Sequence, residues 1–497
     1  MLFRSCRLPS TEGEGRGDLS VVHAPRAERD RAFHGYERSW AVRLVSHSEF
    51  MDSAHSGFDL CLRPLARPSH VCPSGCPGLL RGIALAVPVR AALSFPSTSV
   101  VAGPSRQIHH GSGNRGWPLE RAGLPVAAMT KPVTVLVVSN HGNIVGGGEI
   151  SLIALVANLD RTRWVPIVVV PSEGGVASRC RQIGIVTHVI PLPGLRRPGV
   201  AVVRSVAKLR RLIRQTGASL LHANGSRAMF YAGLAGRLGG QPVIWHVRVA
   251  DQDRLFDRFL AKLARLIIVN SQAVGKRFAW APSLKVRCVY NGVDLIQFSP
   301  RLPPQGLRQS LGLPENGPVI LSVGRFVRFK GYEYLLEAAH LIREAVPGVH
   351  WIVVGDGELK KELEEKRRSL GLDARVHFPG WREDIPELLS LCNIFVLPSI
   401  GEHFGRVLIE AMAMAKAVVA TSSGGVPEIV LDGGTGFLVP PAQAEPLAHA
   451  VLSLLNDPQQ AAALGAAGRR RAETQFSITR HVEAVESLYR QAMEGRV

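Results

Sequence analysis

The stretch Phe395-Val-Leu-Pro-Ser-Ile-Gly-Glu402-His-Phe-Gly405-Arg-Val-Leu-Ile-Glu410-Ala-Met-Ala-Met-Ala-Lys416-Ala-Val-Val-Ala420 decides the fold of this chain. Ile394 to Leu397 reads as a buried strand, a Gly-containing turn follows, and Val407 to Ala415 is a good helix former. Ala417 to Ala420 then reads as a second buried strand. Strand, turn, helix and strand in this order imply a parallel sheet. Glu402 falls in the loop at the carboxyl end of a strand and Glu410 on the helix leaving it. Crevices at such strand ends are where open α/β sheets hold ligands. The helix start at Gly405 and Arg406 offers free N–H groups to a phosphate.

The same alternation extends on both sides. Strands are predicted at Val133 to Val138, Trp164 to Val170, Val186 to Ile190, Leu220 to His222, Pro242 to His246 and Leu266 to Val269. Helices fall between most of them, including Glu149 to Asn158, Val202 to Thr216 and Ala228 to Gly236. A second set begins at Val319 to Gly324 and continues at Val349 to Val354, Arg375 to Phe378, Ile394 to Leu397 and Ala417 to Ala420. The Pro-rich segment Arg301-Leu-Pro-Pro-Gln-Gly306 between the sets has hinge character. The reading is α/β throughout, with two doubly wound Rossmann-like domains facing across a cleft.

A chain of 497 residues is too long for one core. No apolar run reaches the length of a bilayer span. Cys72 and Cys76 lack a matching second pair, which speaks against zinc, and the cysteines read as reduced cytoplasmic thiols. A net charge of +19 points to an anionic partner. Zinc-finger spacing and aromatic-and-basic interleaving are both missing, so nucleic acid is not among the expected partners. Residues 1–128 hold no Lys and four of the seven Cys, and they sustain no period for long. They are expected to be a disordered extension or a mis-assigned start, with the protein proper opening at Met129.

Two glutamates near a helix start are ordinarily a solvated face. Here the neighbours resemble the Glu, seven residues, Glu signature of retaining glycosyltransferases with the GT-B fold, specifically family four. The resemblance implies domains at residues 129–303 (acceptor side) and 304–475 (nucleotide-sugar side). It also implies a helix over residues 476–497 that crosses back to the first domain. Further motifs fall in the family's order. Gly324-Arg325-Phe-Val-Arg-Phe-Lys330-Gly331 carries Arg325 and Lys330, which match the family's diphosphate cations. Arg can grip two phosphate oxygens, while Lys acts as a point charge. Neither is expected to matter for folding. Gly146-Gly147-Gly148-Glu149 opens a helix and matches the family's glycine loop, with Gly146 on the acceptor side and Gly147 and Gly148 toward the donor. His246 matches a family histidine near the sugar and acceptor. His222, which ends another strand, stays open between a structural and an acceptor-side role. Gly357 marks part of the nucleoside site.

By the same resemblance Glu402 binds the donor sugar, Glu410 holds the ribose, and Phe404, Gly405, Arg406 and Val407 belong to the donor site, with the helix start at Gly405 toward the diphosphate. Catalysis is assigned to His246, Glu402, Arg325 and Lys330. The implied activity is retaining, metal-independent transfer of a sugar from a nucleotide diphosphate donor to a polysaccharide or lipid-linked glycan. No cofactor is expected. Alternatives are a nucleotide-sugar epimerase of the same fold and a catalytically silent scaffold. The implied location is cytoplasmic, with peripheral attachment to the inner face of the membrane. That attachment rests on the helix Val202 to Arg214, whose stripe of Val202, Val206, Leu209 and Ile213 is flanked by Arg204, Lys208 and Arg211. A basic amphipathic helix of this kind suits an anionic lipid surface.

Overall fold

The computed structural model describes residues 131–195, 199–251 and 253–495. The expectation for residues 1–128 lies outside the described residues. Two parallel sheets dominate. The first holds β1 (Val133–Ser139), β2 (Trp164–Val170), β3 (Val186–Val189), β4 (Leu220–Asn224), β5 (Val243–Val247), β6 (Leu266–Val269) and β7 (Val286–Cys288), in the order β3-β2-β1-β4-β5-β6-β7. The second holds β8 (Val319–Val323), β9 (His350–Val354), β10 (Val376–His377), β11 (Ile394–Leu397), β12 (Ala417–Thr421) and β13 (Phe437–Val439), in the order β10-β9-β8-β11-β12-β13.

The central strands are mostly apolar because helices cover both faces. β4, β5, β9, β11 and β12 are buried at every residue. Each sheet therefore has two cores, one per face. β7 and β13 escaped the sequence reading, since three-residue edge strands are too short to show a period.

Each sheet reverses its winding once. In the first the reversal lies between β1 and β4, and in the second between β8 and β11. Ligands of doubly wound sheets sit at such switch points, outside the carboxyl ends of the strands. The loops that follow β1, β8 and β11 carry Gly146–Gly148, Arg325 with Lys330, and Glu402 respectively.

The chain changes domain beside itself. Val293 N–H donates to the Phe476 carbonyl at 2.8 Å, and Ile478 N–H donates to the Val293 carbonyl at 2.9 Å. The segment 301–306, predicted as a hinge, is exposed throughout, and the crossing itself is this pair of strands-in-passing. The helix Ile478–Met493 then packs on the first domain. Val482, Val485, Leu488 and Tyr489 join the core formed by β1 and the helix Gly147–Asn158. Glu486 accepts from Asp160 N–H at 2.9 Å, which fixes the register of that return.

The helix Val200–Thr216 corrects one expectation. Its stripe of Val202, Val206, Leu209 and Ile213 is buried in the core of the first domain. The predicted stripe is therefore not available to lipid, and the outward face mixes Arg204, Lys208, Arg211 and Arg214 with Val200 and Val203. Among the described residues no helix is long and apolar enough to cross a membrane.

Candidate active site

Glu402 is the hub of the second domain's switch point. Its carboxylate pairs with Lys330 Nζ at 2.5 Å and accepts from Ser399 Oγ at 3.0 Å, with both charged side chains largely out of water (14% and 9% exposed). Burial pushes the carboxyl up, but Lys330 and the hydrogen bonds outweigh it, so its pKa lies below the usual carboxylate range. The loop is pinned from behind. Gly425 N–H donates to the Glu402 carbonyl at 2.9 Å. A Cβ on Gly424, whose φ is +54°, would stand 1.7 Å from that carbonyl oxygen, so only glycine fits.

Gly405, with φ +92°, turns the chain into the helix Arg406–Ala413. One turn along, Glu410 pairs with Arg406 Nε at 3.0 Å, and burial raises its pKa despite that cation. Arg406 Nη1 is buried with no hydrogen-bond partner. Phe404 spends its side chain on packing: it is 3% exposed and stacks on Tyr290 with centroids 6.1 Å apart. Val407 packs against the core of the second domain. What these two offer a ligand is backbone, in keeping with the unsatisfied N–H groups of a first helical turn.

Across the cleft the glycine loop starts the helix Gly147–Asn158, where Glu149 Oε2 accepts from Gly146 N–H at 3.1 Å. A Cβ on Gly147 would lie 3.7 Å from Arg406 Cβ, so the two domains meet here. Arg325 has no carboxylate partner among the described residues. Its field nevertheless reaches the first domain. Burial, then Arg227 and Arg325, hold His141 down at about 4. Arg325 also acts on Glu149, whose pKa is raised by burial.

Gly357 is explained by packing. A Cβ there would come within 2.5 Å of the Phe326 carbonyl oxygen. Glu428, which follows the Glu-helix segment, caps the first domain: its carboxylate accepts from Gln272 N–H at 2.7 Å and Ala273 N–H at 2.8 Å. Together with Ser271 Oγ donating to the His403 carbonyl at 2.7 Å, this ties the domains at one end of the cleft.

The two histidines form a buried chain. Tyr489 lies 2.8 Å from His222 Nδ1, His222 Nε2 lies 3.2 Å from His246 Nδ1, and Arg248 Nη2 lies 3.4 Å from the same nitrogen. Arg can only donate, so His246 Nδ1 accepts and its proton sits on Nε2. His222 then donates from Nε2 and accepts from the tyrosine hydroxyl. Burial, reinforced by Arg248, drives His222 down to about 3 and His246 well below its ordinary value, so both rings are neutral. His246 is fully buried, and its Nε2 is without a partner. His222 is a structural bridge between that ring and Tyr489.

The sequence reading missed Arg248. The available signal was strand alternation, which puts residues 246 and 248 on one face at the carboxyl end of β5. Tyr489 carried no signal, because it arrives from the far end of the chain.

Two doubly wound domains whose switch points meet, with cations on both lips of the cleft, define a GT-B protein. The chain belongs to the glycosyl transferases group 1 family: that family's model matches residues 305–471, and the model for glycosyltransferase family 4 matches residues 145–297. It is 30% identical over 389 residues to alpha-maltose-1-phosphate synthase of Mycolicibacterium smegmatis, covering 70% of this chain and 96% of that protein. It is 26% identical to a UDP-Gal:alpha-D-GlcNAc-diphosphoundecaprenol alpha-1,3-galactosyltransferase of Escherichia coli, over 58% of this chain and 79% of the relative. The solved structure of HepE from Anabaena in complex with UDP and glucose superposes with a TM-score of 0.64 at 27% identity, over 71% of this chain and 98% of that one.

Proposed function

We propose that this glycosyltransferase moves one sugar, with retention and without a metal, from a nucleoside diphosphate sugar to a polysaccharide or lipid-linked glycan. The observation that carries the reading is the state of its charges. Among the described residues Arg325 stands without a carboxylate partner, and Lys330 is held by Glu402, whose loop leads into the helix start at Gly405.

As the glycosidic bond breaks, the diphosphate gains negative charge, and fixed cations are one way to meet it. Arg325, Lys330 and the first-turn N–H groups supply them. When the sugar enters, Glu402 accepts from its hydroxyls, and Lys330 is released toward phosphate. Glu410, braced by Arg406, accepts from the ribose. The unpartnered Nε2–H of His246 is a donor for a substrate oxygen. With no enzyme nucleophile assigned, retention follows from attack on the same face, the leaving phosphate taking the acceptor's proton. The Escherichia coli relative, named for a diphosphoundecaprenol acceptor, supports the lipid-linked class. The exposed basic residues of the helix Val200–Thr216 support attraction to anionic lipid, on the cytoplasmic side.

Incubating the full chain with UDP- and GDP-sugars, with and without a lipid-linked acceptor, tests the reading. Acceptor-dependent release of nucleoside diphosphate is expected. Altered free sugar without acceptor would mark an epimerase, and no turnover with any donor would mark a silent scaffold.

A further inference from the structure

Four cations of the cleft differ in how they are balanced. Lys330 pairs with Glu402 and Arg406 with Glu410. Arg325 from the second domain and Arg248 from the first have no carboxylate partner among the described residues.

Arg248 is nonetheless held rigidly. Nε donates to Asn224 Oδ1 at 2.7 Å, Nη1 to Asn291 Oδ1 at 2.5 Å, and Nη2 to His246 Nδ1 at 3.4 Å. All three acceptors are neutral. They fix the plane of the guanidinium and use one N–H on each nitrogen, which leaves one on each of Nη1 and Nη2. Its side chain runs along the glycine loop: a Cβ on Gly148 would stand 3.3 Å from Arg248 Cδ. Burial, with Arg406 nearby, pushes its pKa down to about 9. Its charge is therefore held at a cost, and the one nearby carboxylate that favours it, Glu149, is already committed to Gly146 N–H.

We propose that Arg248 is an anion ligand of the first domain, which grips the terminal phosphate of the donor over the glycine loop, opposite Arg325. The proposal rests on the nucleoside diphosphate reading above and adds a ligand to it. Two molecules can bring a phosphate oxygen to this place, the donor and a phosphorylated acceptor. The donor is favoured because Arg248 lies beside the glycine loop that faces the helix Arg406–Ala413.

Titration calorimetry of the full chain with UDP and UMP, and with GDP and GMP, separates the cases. R248Q should bind the diphosphate about 10- to 100-fold more weakly than wild type, as for loss of a charge-assisted fork. Monophosphate affinity should hardly move, a selectivity that general loosening would not produce. R248K keeps the charge but loses the fork, so it should fall in between; it also serves if R248Q does not fold. Unchanged diphosphate affinity in either folded variant, with R325A still impaired, would overturn the proposal while leaving the reading of the site intact. A raised acceptor KM with unchanged diphosphate affinity would assign the anion to the acceptor and equally overturn it. If wild type binds neither UDP nor GDP, the site reading fails and the proposal with it.

Discussion

Arg325→Ala and Lys330→Ala should impair turnover alike, yet differ in what they do to the fold. Each removes a preorganised donor at developing charge, which is worth about two to three orders of magnitude in turnover. Among the described residues Arg325 has no carboxylate partner, so its loss strands no charge there. Lys330 does have one. At 2.5 Å and an effective dielectric of about 20, its gross attraction to Glu402 is about 7 kcal/mol. Dehydration of both groups cancels much of this, and Ser399 still supports the carboxylate after the change. Removing one partner of a buried pair nevertheless costs about 3–5 kcal/mol. Side chains 14% and 9% exposed place this pair at the lower end. At roughly 2–4 °C per kcal/mol for a domain of this size, Lys330→Ala should melt about 6–12 °C below wild type. Arg325→Ala should melt with wild type. This revises the expectation that neither cation matters for folding, because the pairing spans 72 positions in the sequence. Adding Glu402→Gln to Lys330→Ala removes the stranded charge and should recover part of the loss. Calorimetric scans of wild type and the three variants decide the matter. Equal melting of Lys330→Ala and wild type would refute the account.

The Glu402 carboxyl is depressed in the folded state, so its stabilising contribution is full above the ordinary value of 4.5 and is lost as pH falls through the folded value. The stability gap between wild type and Glu402→Gln should therefore narrow as the pH of denaturant titrations is lowered below about 4.5. Glu410→Gln should weaken UDP binding by about tenfold in calorimetry, consistent with one hydrogen bond to a charged group. Gly424→Ala forces a side chain into φ +54° and against the Glu402 carbonyl, and should cost at least about 1–3 kcal/mol in urea unfolding along with most of the turnover. Turnover should persist in excess chelator, and strict dependence on a divalent ion would contradict the role given to Arg325 and Lys330. The chain should float with anionic vesicles at low salt and be released at high salt; flotation with neutral vesicles would point to an apolar surface instead.

Much of this protein is written locally. Strands that must be buried on both faces are continuous apolar runs, and the glycines and charges between them mark where the chain turns. That sufficed for two doubly wound domains and for placing Glu402, Arg325, Lys330 and Gly146–Gly148 at strand ends. The last helix, Ile478–Met493, was expected from the family resemblance rather than from its own period. Sequence alone could not say which charges would neutralise one another. The Lys330–Glu402 pair and the bracing of Arg248 by Asn224 and Asn291 depend on separations of 72, 24 and 43 residues that only the packed sheets close. Nor could it say which apolar stripe would find the core. The face of Val202, Val206, Leu209 and Ile213 is the same whether lipid or protein covers it, and only the sheet beneath it settled the choice. The neutral state of His222 and His246 was decided in the same way, by burial in the packed first domain with Arg248 beside them. Periodicity reports how a segment is buried, whereas the partner of a buried charge is a property of the tertiary fold.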